Sequence, residues 1–297
     1  MKISVIIPTC QRNDLLAQCL DQLAPEKQTG MHLSGPNDPE PAQAPAGKYE
    51  VIVSDDSLRP TAESMIRDRY PWAKWVSGPR RGPAANRNHG ARHATGEWLM
   101  FLDDDCLPDS GLLAACAVEA ASPATRVIEG RIYAERPQQS LAEIAPLNES
   151  GGCLWSCNFA IRRDLFDSMG GFDERFPYAA MEDVDFRLRL KQAGEKIHFV
   201  PGVSVCHPWR RWDSRNEFKK YEESLSIYLS IHPGEKGDFT TMAHLQAILR
   251  NFLKVTLPGV WRYRGAGFME AMRHHFFHLR FAVCGCRILP SEKEETL

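Results

Sequence analysis

The sequence lacks the segments that would mark a secreted, membrane-spanning or dinucleotide-binding protein. Met1 and Lys2 lead directly into the strand-like run 3–7, so we recognise no signal peptide, and no uncharged apolar run approaches the roughly 18 residues of a membrane span. No Gly-x-Gly-x-x-Gly follows that first strand, which excludes a dinucleotide-dependent oxidoreductase. These absences predict a cytoplasmic protein.

Paired cysteines and a strong net charge are missing as well. The nine cysteines are an odd number without a Cys-x-x-Cys pair, which predicts reduced thiols and argues against a zinc site. The formal net charge is -2, so the composition gives no indication of a nucleic-acid partner. Any electrostatic function must therefore come from local clusters of charge.

What is present predicts an α/β fold. Of the 297 residues, 43% are hydrophobic, which suffices for a sizeable core. An apolar strand, a polar turn and a helical period follow one another three times, at residues 3–23, with Asn13 as the expected N-cap, and at 49–70 and 72–94. The segment 25–48 holds five prolines and three glycines, and we interpret it as a surface insertion.

Three consecutive aspartates, Asp103, Asp104 and Asp105, follow an apolar strand. Adjacent carboxylates repel one another unless a cation or solvent neutralises them, and open α/β sheets bind ligands at the carboxyl ends of their strands. Oxygen ligands suit Mg²⁺ or Mn²⁺, which usually arrive with phosphates. In an extended segment Asp103 and Asp105 point the same way, and we prefer Asp105 as the direct ligand. A solvated acidic turn is the alternative.

Two other segments offer contacts to a phosphate-bearing ligand. Asp56 follows the neighbouring strand and can accept hydrogen bonds from ribose hydroxyls or a base N–H, although turn capping would also explain it. Arg80, Arg81 and Arg87 stand beside a helix that opens at Gly82, and this arrangement favours anions such as diphosphate. Arginines at loop ends are often only solvated.

Residues 182–207 contain a candidate base and a candidate nitrogen ligand. Glu182 and Asp183 open a predicted helix that ends near Gly194, where a carboxylate is stabilised as an anion and can accept a proton from a hydroxyl. Helix capping alone would explain one such acid. His207 follows a short strand and could supply a nitrogen to the same ion, although a lone histidine is usually structural.

The C-terminal part, from about residue 215 onwards, is predicted to be helical with a break at Pro258 and Gly259. Residues 240–291 contain seven Lys or Arg and one acid, Glu270, among many large apolar side chains. Such a composition is typical of an amphipathic segment at a membrane surface. Packed helices with a solvated cationic face are the alternative.

Taken in order, these segments resemble the family 2 glycosyltransferases with the GT-A fold. The resemblance extends over roughly residues 1–212, and its motifs are each loose but occur in the right order: 5–9 with Arg12, 51–57, Gly82 with Arg87 and Asn88, 101–105, Asn158 with Arg162 and Arg163, 170–174, Glu182 with Asp183, and His207. Two features depart from the family pattern. Asn86 replaces a small residue, and the 25–48 insertion is longer than the usual connection.

The resemblance implies a Rossmann-like, mostly parallel sheet flanked by helices over residues 1–214. The basic helical extension over 215–297 is predicted from its composition and lies outside the resemblance. It implies inverting transfer of a sugar from a nucleotide-diphosphate donor to a hydroxyl of a glycan or lipid-linked acceptor. Asp183 would be the base, with Glu182 as its competitor, and Mn²⁺ or Mg²⁺ would bind Asp103, Asp105 and His207. The residues implied in nucleotide-sugar binding are Pro8, Thr9, Arg12, Asp56, Arg87, Asp103 and Asp104.

The acceptor site, the reaction class and the cellular location each allow more than one interpretation. The segment 151–158 suggests an acceptor wall with Trp155 as a stacking platform and Asn158 nearby, although a core tryptophan is equally consistent. A sugar-phosphate nucleotidyltransferase would combine the same ligands, but the turn after the first strand has no glycine-rich phosphate loop. A protein that binds nucleotide sugar without turnover is the non-enzymatic alternative. A lipid-linked acceptor would place the protein on the inner membrane face.

Overall fold

The computed structural model describes residues 1–29, 31–33, 47–212 and 214–284. The greater part of the predicted insertion, residues 34–46, lies outside the described residues. The chain divides into two compact units. The first contains residues 1–135 and 146–208, and the second contains 136–145 together with the described residues from Trp209 onwards.

The helices and strands follow one another in an α/β pattern that gives way to helices. They are β1 Lys2–Thr9, α1 Asn13–Leu23, β2 Met31–Leu33, β3 Gly47–Asp55, α2 Glu63–Arg69, β4 Ala73–Ser77, α3 Pro83–Arg92, β5 Trp98–Leu102, β6 Leu107–Pro108, α4 Leu112–Ala120, β7 Val127–Tyr133, β8 Glu143–Ile144, β9 Asn158–Arg162, α5 Arg163–Ser168, α6 Glu182–Gln192, β10 Ile197–Cys206, β11 Arg210–Arg211, α7 Ser214–Ile231, a 3₁₀ helix Pro233–Phe239, α8 Thr241–Asn251, a π-helix Phe252–Thr256, α9 Leu257–Arg262 and α10 Phe268–Cys284.

One mixed sheet organises the first unit. Its strand order is β2-β3-β1-β5-β9-β7-β10-β6, and β4 pairs with β3. β1 is parallel to both β3 and β5, whereas β9 runs antiparallel between β5 and β7. Because β1, β3 and β5 are parallel, their carboxyl ends, Thr9, Asp55 and Leu102, lie at the same edge of the sheet. The predicted GT-A-type sheet is confirmed.

Both faces of this sheet are covered, as expected for strands without polar alternation. Ile3, Val5 and Ile7 are fully buried in the main core on one face. On the other face five phenylalanines pack ring against ring between β5, β9, α5 and α6, with neighbouring centroids 5.0–6.1 Å apart. They are Phe101, Phe159, Phe166, Phe172 and Phe186. Each such buried ring contributes about 1.5–3 kcal/mol, and together they hold the first turn of α6 against the sheet.

Three local predictions are wrong. The residue before α1 is Arg12, and Asn13 instead donates from Nδ2 to the Thr61 carbonyl. The aspartate run is not extended, because it forms a turn in which the amide of Cys106 donates to the carbonyl of Asp103 at 3.2 Å. The premise that Asp103 and Asp105 point the same way therefore fails.

The third wrong prediction concerns the C-terminal helices. Residues 241–262 are helical throughout, through Pro258 and Gly259, because Pro258 falls in the first turn of α9 directly after the π-helix. A proline inside a helical run cannot donate a backbone hydrogen bond, and the wider turn of the π-helix directly before Pro258 accommodates it. The chain turns instead at 263–267, where Arg264, Gly265 and Gly267 have positive φ.

The second unit is built from this helical array and one short antiparallel strand pair. β8 pairs with β11, and the segment before β8 is attached to the turn at 263–267. Tyr263 donates its hydroxyl to Gln138 at 3.0 Å, and the amide of Leu141 donates to the Ala266 carbonyl at 3.0 Å. Among the described helices we find none with both the length and the apolar character needed to span a bilayer.

Candidate functional site

A cavity of about 690 Å³ opens where the parallel strands end. All seven residues implied in nucleotide-sugar binding line it, although they come from four separate parts of the chain. They are Pro8, Thr9, Arg12, Asp56, Arg87, Asp103 and Asp104. The sheet topology brings them together, because the loops after β1, β3 and β5 share one edge.

Of the two acids at the carboxyl end of β3, Asp55 and Asp56, only Asp56 lines the cavity. Asp55 is buried and accepts from the amides of Ser57 and Ala62 at 2.9 and 2.7 Å, so its carboxylate shapes the turn. Asp56 accepts from the amide of Arg80 at 2.8 Å. Burial raises the pKa of Asp56, and the amides of Arg80 and Gly82 act in the opposite direction.

Two residues near this turn require special geometry. A Cβ on Gly78 would lie 2.2 Å from Oδ1 of Asp56, so only glycine leaves room for that carboxylate. Asn86, which departs from the family pattern, donates from Nδ2 to the carbonyls of Thr9 and Ser54 at 3.3 and 2.9 Å. It thereby ties the ends of β1 and β3 together. Its position in the first turn of α3 was the signal that the sequence offered for this role.

Arg12 and Thr9 hold the second aspartate of the triplet. Thr9 donates its hydroxyl to Oδ2 of Asp104 at 2.7 Å, and Nη1 of Arg12 lies 3.1 Å from Oδ1. Burial raises the pKa of Asp104 to about 7, against the opposing effects of Arg12 and Thr9. Arg12 also contacts Asp105, and 42% of its side chain is exposed, so it can exchange these partners for an anion in the cavity.

Arg87 connects the aspartate triplet to the acids at the start of α6. Its Nη2 lies 2.6 Å from Oδ1 of Asp103, and its Nη1 lies 3.0 Å from Oε1 of Glu182. The guanidinium is 2% exposed and packs 5.7 Å from the centre of the Phe172 ring. Burial disfavours this charge, but Asp103 and Glu182 outweigh that effect and raise the pKa of Arg87.

Asp105 and His207 form the candidate metal pair. Oδ1 of Asp105 is buried without a hydrogen-bond partner and lies 3.4 Å from Nε2 of His207. His207 is fixed at the end of β10, where its amide donates to the Tyr133 carbonyl at 2.7 Å. Its Nδ1 lies 2.9 Å from the Pro208 carbonyl, so Nδ1 can carry the proton and leave the Nε2 lone pair for a ligand. A carboxylate oxygen suits both Mn²⁺ and Mg²⁺, and the imidazole nitrogen favours Mn²⁺ of the two.

A third potential ligand atom lies close to those of Asp105 and His207, and it belongs to Cys106, not to Asp103. The Cys106 sulfur lies with the ligand atoms of Asp105 and His207 within 4.8 Å of one another. Its thiol donates to the Cys157 carbonyl at 3.6 Å. The side chain of Cys157 together with burial raises the pKa of the Cys106 thiol well above the usual range. A protonated thiol is a poor ligand, so Cys106 fits packing better than metal binding. Asp103 lies outside the group because Arg87 holds it.

Glu182 and Asp183 lie side by side at the start of α6. Met181, which precedes them, has φ +72°, a conformation that few non-glycine residues adopt. Burial raises the pKa of both acids, and the charge of Asp183 raises that of Glu182 further. The charge of Arg87 acts in the opposite direction on both pKa values. Asp183 accepts from the amides of Ser156 and Val184 at 3.4 and 2.8 Å. Oε2 of Glu182 is buried without a hydrogen-bond partner.

Comparison with known proteins decides the family. Residues 4–170 match the model of glycosyl transferase family 2. The chain belongs to this family. The predicted membership is thus confirmed by a match that includes every element of the sheet edge described above.

Three curated proteins are similar to this family 2 chain. The O-antigen biosynthesis protein RfbC of Myxococcus xanthus is 28% identical over 278 residues, which cover 82% of this chain and 20% of RfbC. An uncharacterized glycosyltransferase of Haemophilus influenzae is 26% identical, covering 64% of this chain and 62% of its own length. The pre-mycofactocin glycosyltransferase of Mycobacterium tuberculosis is 28% identical, and the match covers 63% of this chain and 43% of that protein. The chain thus spans less than two thirds of the length of each.

Solved structures share the family 2 fold. The mannosyltransferase PcManGT from Pyrobaculum calidifontis, in complex with GDP-Man and Mn²⁺, superposes with a TM-score of 0.55 at 19% identity, covering 95% of this chain and 86% of PcManGT. S. aureus TarS 1-349 in complex with UDP-GlcNAc superposes with a TM-score of 0.52 at 20% identity, and the match covers 76% of this chain and 65% of the TarS chain. At these identities the likeness shows the fold alone.

The two residues assigned to an acceptor wall differ in their surroundings. Asn158 is fully buried, and its Nδ2 donates to the carbonyls of Arg131 and Val203 at 2.9 and 3.0 Å. It joins strands within the sheet, so the structure contradicts its assignment to the acceptor. Trp155 is partly buried against the core, and its Nε1 is buried without a hydrogen-bond partner.

Sequence reasoning missed Glu129, which shapes the loop before Trp155. This carboxylate is 2% exposed within β7 and accepts from the amides of Gly152, Cys153 and Leu154 at 2.8, 2.6 and 2.5 Å. Asn148 donates to it at 2.8 Å. The signal in the sequence was an acid directly after the apolar residues Val127 and Ile128 of this strand. Glu129 therefore fixes the loop that carries Ser156 to Asp183.

Proposed function

We propose that this family 2 protein is a metal-dependent, inverting glycosyltransferase, which moves a sugar from a nucleotide-diphosphate donor to a hydroxyl of a glycan or lipid-linked acceptor. The observation that carries the proposal is the connection that Arg87 makes between one cavity and the acids at the start of α6. Nucleotide-binding candidates line the cavity, Arg87 extends from it to Glu182, and Asp183 is the next residue. The complexes of PcManGT with GDP-Man and TarS with UDP-GlcNAc support a nucleotide-sugar donor.

The donor would occupy the cavity with its nucleoside beside β1 and β3. Asp56 offers a carboxylate to ribose hydroxyls or a base N–H. Pro8 and Thr9 line the cavity beside it, where the amide of Asp56 donates to the Thr9 carbonyl at 2.9 Å. Arg12 and Arg80 are the cations at the cavity surface that can face the diphosphate. Bidentate guanidinium contacts to phosphate are strong and directional, so these arginines would orient the leaving group.

Asp105 and His207 would hold the divalent ion. When bound, that ion supplies positive charge that stabilises the departing diphosphate. The carboxylate of Asp105 is held as an anion for this role: burial opposes ionisation, but His207 and Arg12 lower its pKa. The complex of PcManGT with Mn²⁺ supports manganese as the ion.

Asp183 is the proposed base, in preference to Glu182. The carboxylate of Glu182 is committed to Arg87, whereas Asp183 is oriented by two backbone amides. The acceptor hydroxyl would lose its proton to Asp183 as its oxygen bonds to the anomeric carbon. The bond from that carbon to the diphosphate oxygen breaks on the opposite face, which inverts the anomeric configuration.

Calorimetric titration of UDP- and GDP-sugars with Mn²⁺, followed by assays of donor hydrolysis and transfer, tests the proposal. We expect saturable binding that a chelator abolishes, and turnover that requires Asp183. Binding without turnover over a broad panel of acceptors would favour the binding protein instead. Membership of family 2 argues against the nucleotidyltransferase. A lipid-linked acceptor would require association with a membrane surface, which we include in the proposal as peripheral binding at the inner face.

A further inference from the structure

The helical run 241–262 of the second unit exposes a row of large apolar side chains. Leu245, Leu249, Leu253, Leu257 and Trp261 are 37%, 59%, 51%, 46% and 83% exposed. We call these five residues the leucine stripe. Single exposed leucines are common on protein surfaces, but five at regular spacing on one helical run form a continuous apolar surface.

The π-helix keeps this stripe on one side of the run. Its members recur every four residues, and in an α-helix of about 3.6 residues per turn such a row drifts steadily around the axis. The wider turn of the π-helix at Phe252–Thr256 offsets part of that drift. The buried side follows the same spacing: Thr256 contacts Nε2 of His275 through Oγ1 at 2.7 Å, and the rings of Phe252 and His275 are 5.7 Å apart.

A row of basic residues runs beside the stripe. Arg250, Lys254 and Arg262 are exposed, and each directly follows a member of the leucine stripe. Among residues 241–284 the only acid is Glu270, which already pairs with Arg211. The surface therefore combines exposed hydrocarbon with positive charge that no neighbouring acid in this segment neutralises.

We propose that the leucine stripe docks this protein onto an anionic membrane surface, with the helical run lying in the interface. Leucines and Trp261 would enter the region between headgroups and acyl chains, and the basic row would contact lipid phosphates. Charge complementarity favours anionic lipid over a second copy of this chain, whose matching face carries the same positive charge. The proposal deepens the proposed function, on which it rests for its biological sense, because a lipid-linked acceptor is presented at such a surface.

Co-sedimentation of the full chain with vesicles tests this surface. We expect binding to vesicles that contain phosphatidylglycerol, weaker binding to pure phosphatidylcholine, and loss of binding at high salt. The variant L249E/L253E should bind at least about tenfold more weakly, since charges replace the inserted side chains. The variant R250Q/K254Q should lose about fivefold per removed charge on anionic vesicles only. The matched control is Val118→Glu on α4 of the first unit, where an equally apolar residue is 73% exposed.

A second readout reports insertion directly. Brominated lipids should quench part of the tryptophan fluorescence, and Trp261→Phe should remove that part while leaving vesicle binding detectable. Donor binding, followed by thermal shift, should be unchanged in every stripe variant, so failure of this surface and failure of the proposed function are distinguishable. The proposal is overturned if the wild-type chain ignores anionic vesicles, if L249E/L253E binds like Val118→Glu, or if the stripe variants instead dissociate a dimer.

Discussion

Arg87 and Glu182 form a buried ion pair, with Nη1 and Oε1 3.0 Å apart and both side chains no more than 3% exposed. Breaking such a pair leaves a desolvated charge without its partner, which costs about 3–5 kcal/mol. We expect Arg87→Met to lower the free energy of unfolding by that amount in chemical denaturation. Arg92→Met is the matched control on the same helix, because its pair with Glu174 is half exposed and contributes about 0–1 kcal/mol. Equal losses in the two variants would contradict the role of the buried pair.

Replacement of the proposed base should separate chemistry from binding. Asp183→Asn keeps the shape of the side chain but cannot take a proton, so transfer should fall at least about 100-fold. Donor affinity, measured by calorimetry, should change little. Asp164→Asn, which alters an exposed carboxylate on α5, should leave both unchanged. Near-normal transfer by Asp183→Asn would shift the assignment to Glu182.

The metal pair makes a prediction about Mn²⁺ affinity that does not depend on turnover. Asp105→Ala and His207→Ala should each weaken Mn²⁺ binding by about 10–100-fold, as followed by the electron paramagnetic resonance signal of free Mn²⁺. Cys106→Ser should leave the affinity nearly unchanged, because the thiol is protonated and donates to a carbonyl. A large loss in Cys106→Ser would mean that the sulfur is a ligand after all.

Glu129 should be required for the loop that precedes Trp155. Glu129→Ala leaves four donors without their acceptor, and each buried unsatisfied group costs about 1–3 kcal/mol. We expect the melting temperature to fall sharply. Glu129→Gln retains one acceptor oxygen and should rescue part of that loss. The same two variants also test function, because a displaced loop should raise the KM for the acceptor more than the KM for the donor.

Acidification should destabilise the second unit through the histidines of α10. Burial lowers the pKa of His278 to about 4, with His274, His244 and His275 adding to the effect, and Nε2 of His278 lies 3.2 Å from Nε2 of His274. A histidine whose folded pKa is depressed binds fewer protons than in the unfolded chain. Its stabilising contribution is therefore complete above the unfolded value of about 6.5 and is lost as the pH falls towards 4.

Thermal melts of the full chain between pH 7.5 and pH 4.5 measure this effect. His278→Gln should make the melting temperature of the second unit depend less on pH. The control is His198→Gln, which lies in the first unit beside Glu119. An identical pH dependence in wild type and His278→Gln would rule out this histidine as the source.

The sequence by itself determined the order of elements and the family. Strand-forming runs that end in polar turns predicted β1, β3 and β5, because periodicity and turn chemistry are local properties of the chain. Ordered motifs gave the family membership that the match over 4–170 confirmed. The seven cavity residues could be chosen from sequence because the family resemblance assigns them through local motifs at the ends of β1, β3 and β5 and in the first half of α3.

Only the tertiary structure decided which of these acids contact which cation. The turn at Asp103–Cys106 directs Asp103 to Arg87 and leaves Asp105 with His207, and these partners lie 16 and 102 positions away along the chain. The same holds for Asn158, whose hydrogen bonds join distant strands, and for Glu129, whose hydrogen bonds fix a loop 23 to 25 positions away. The continuity of the helix through Pro258 likewise depended on the π-helix before it. Side-chain partners across a sheet edge are set by packing between elements, and the local pattern of the sequence carries no record of them.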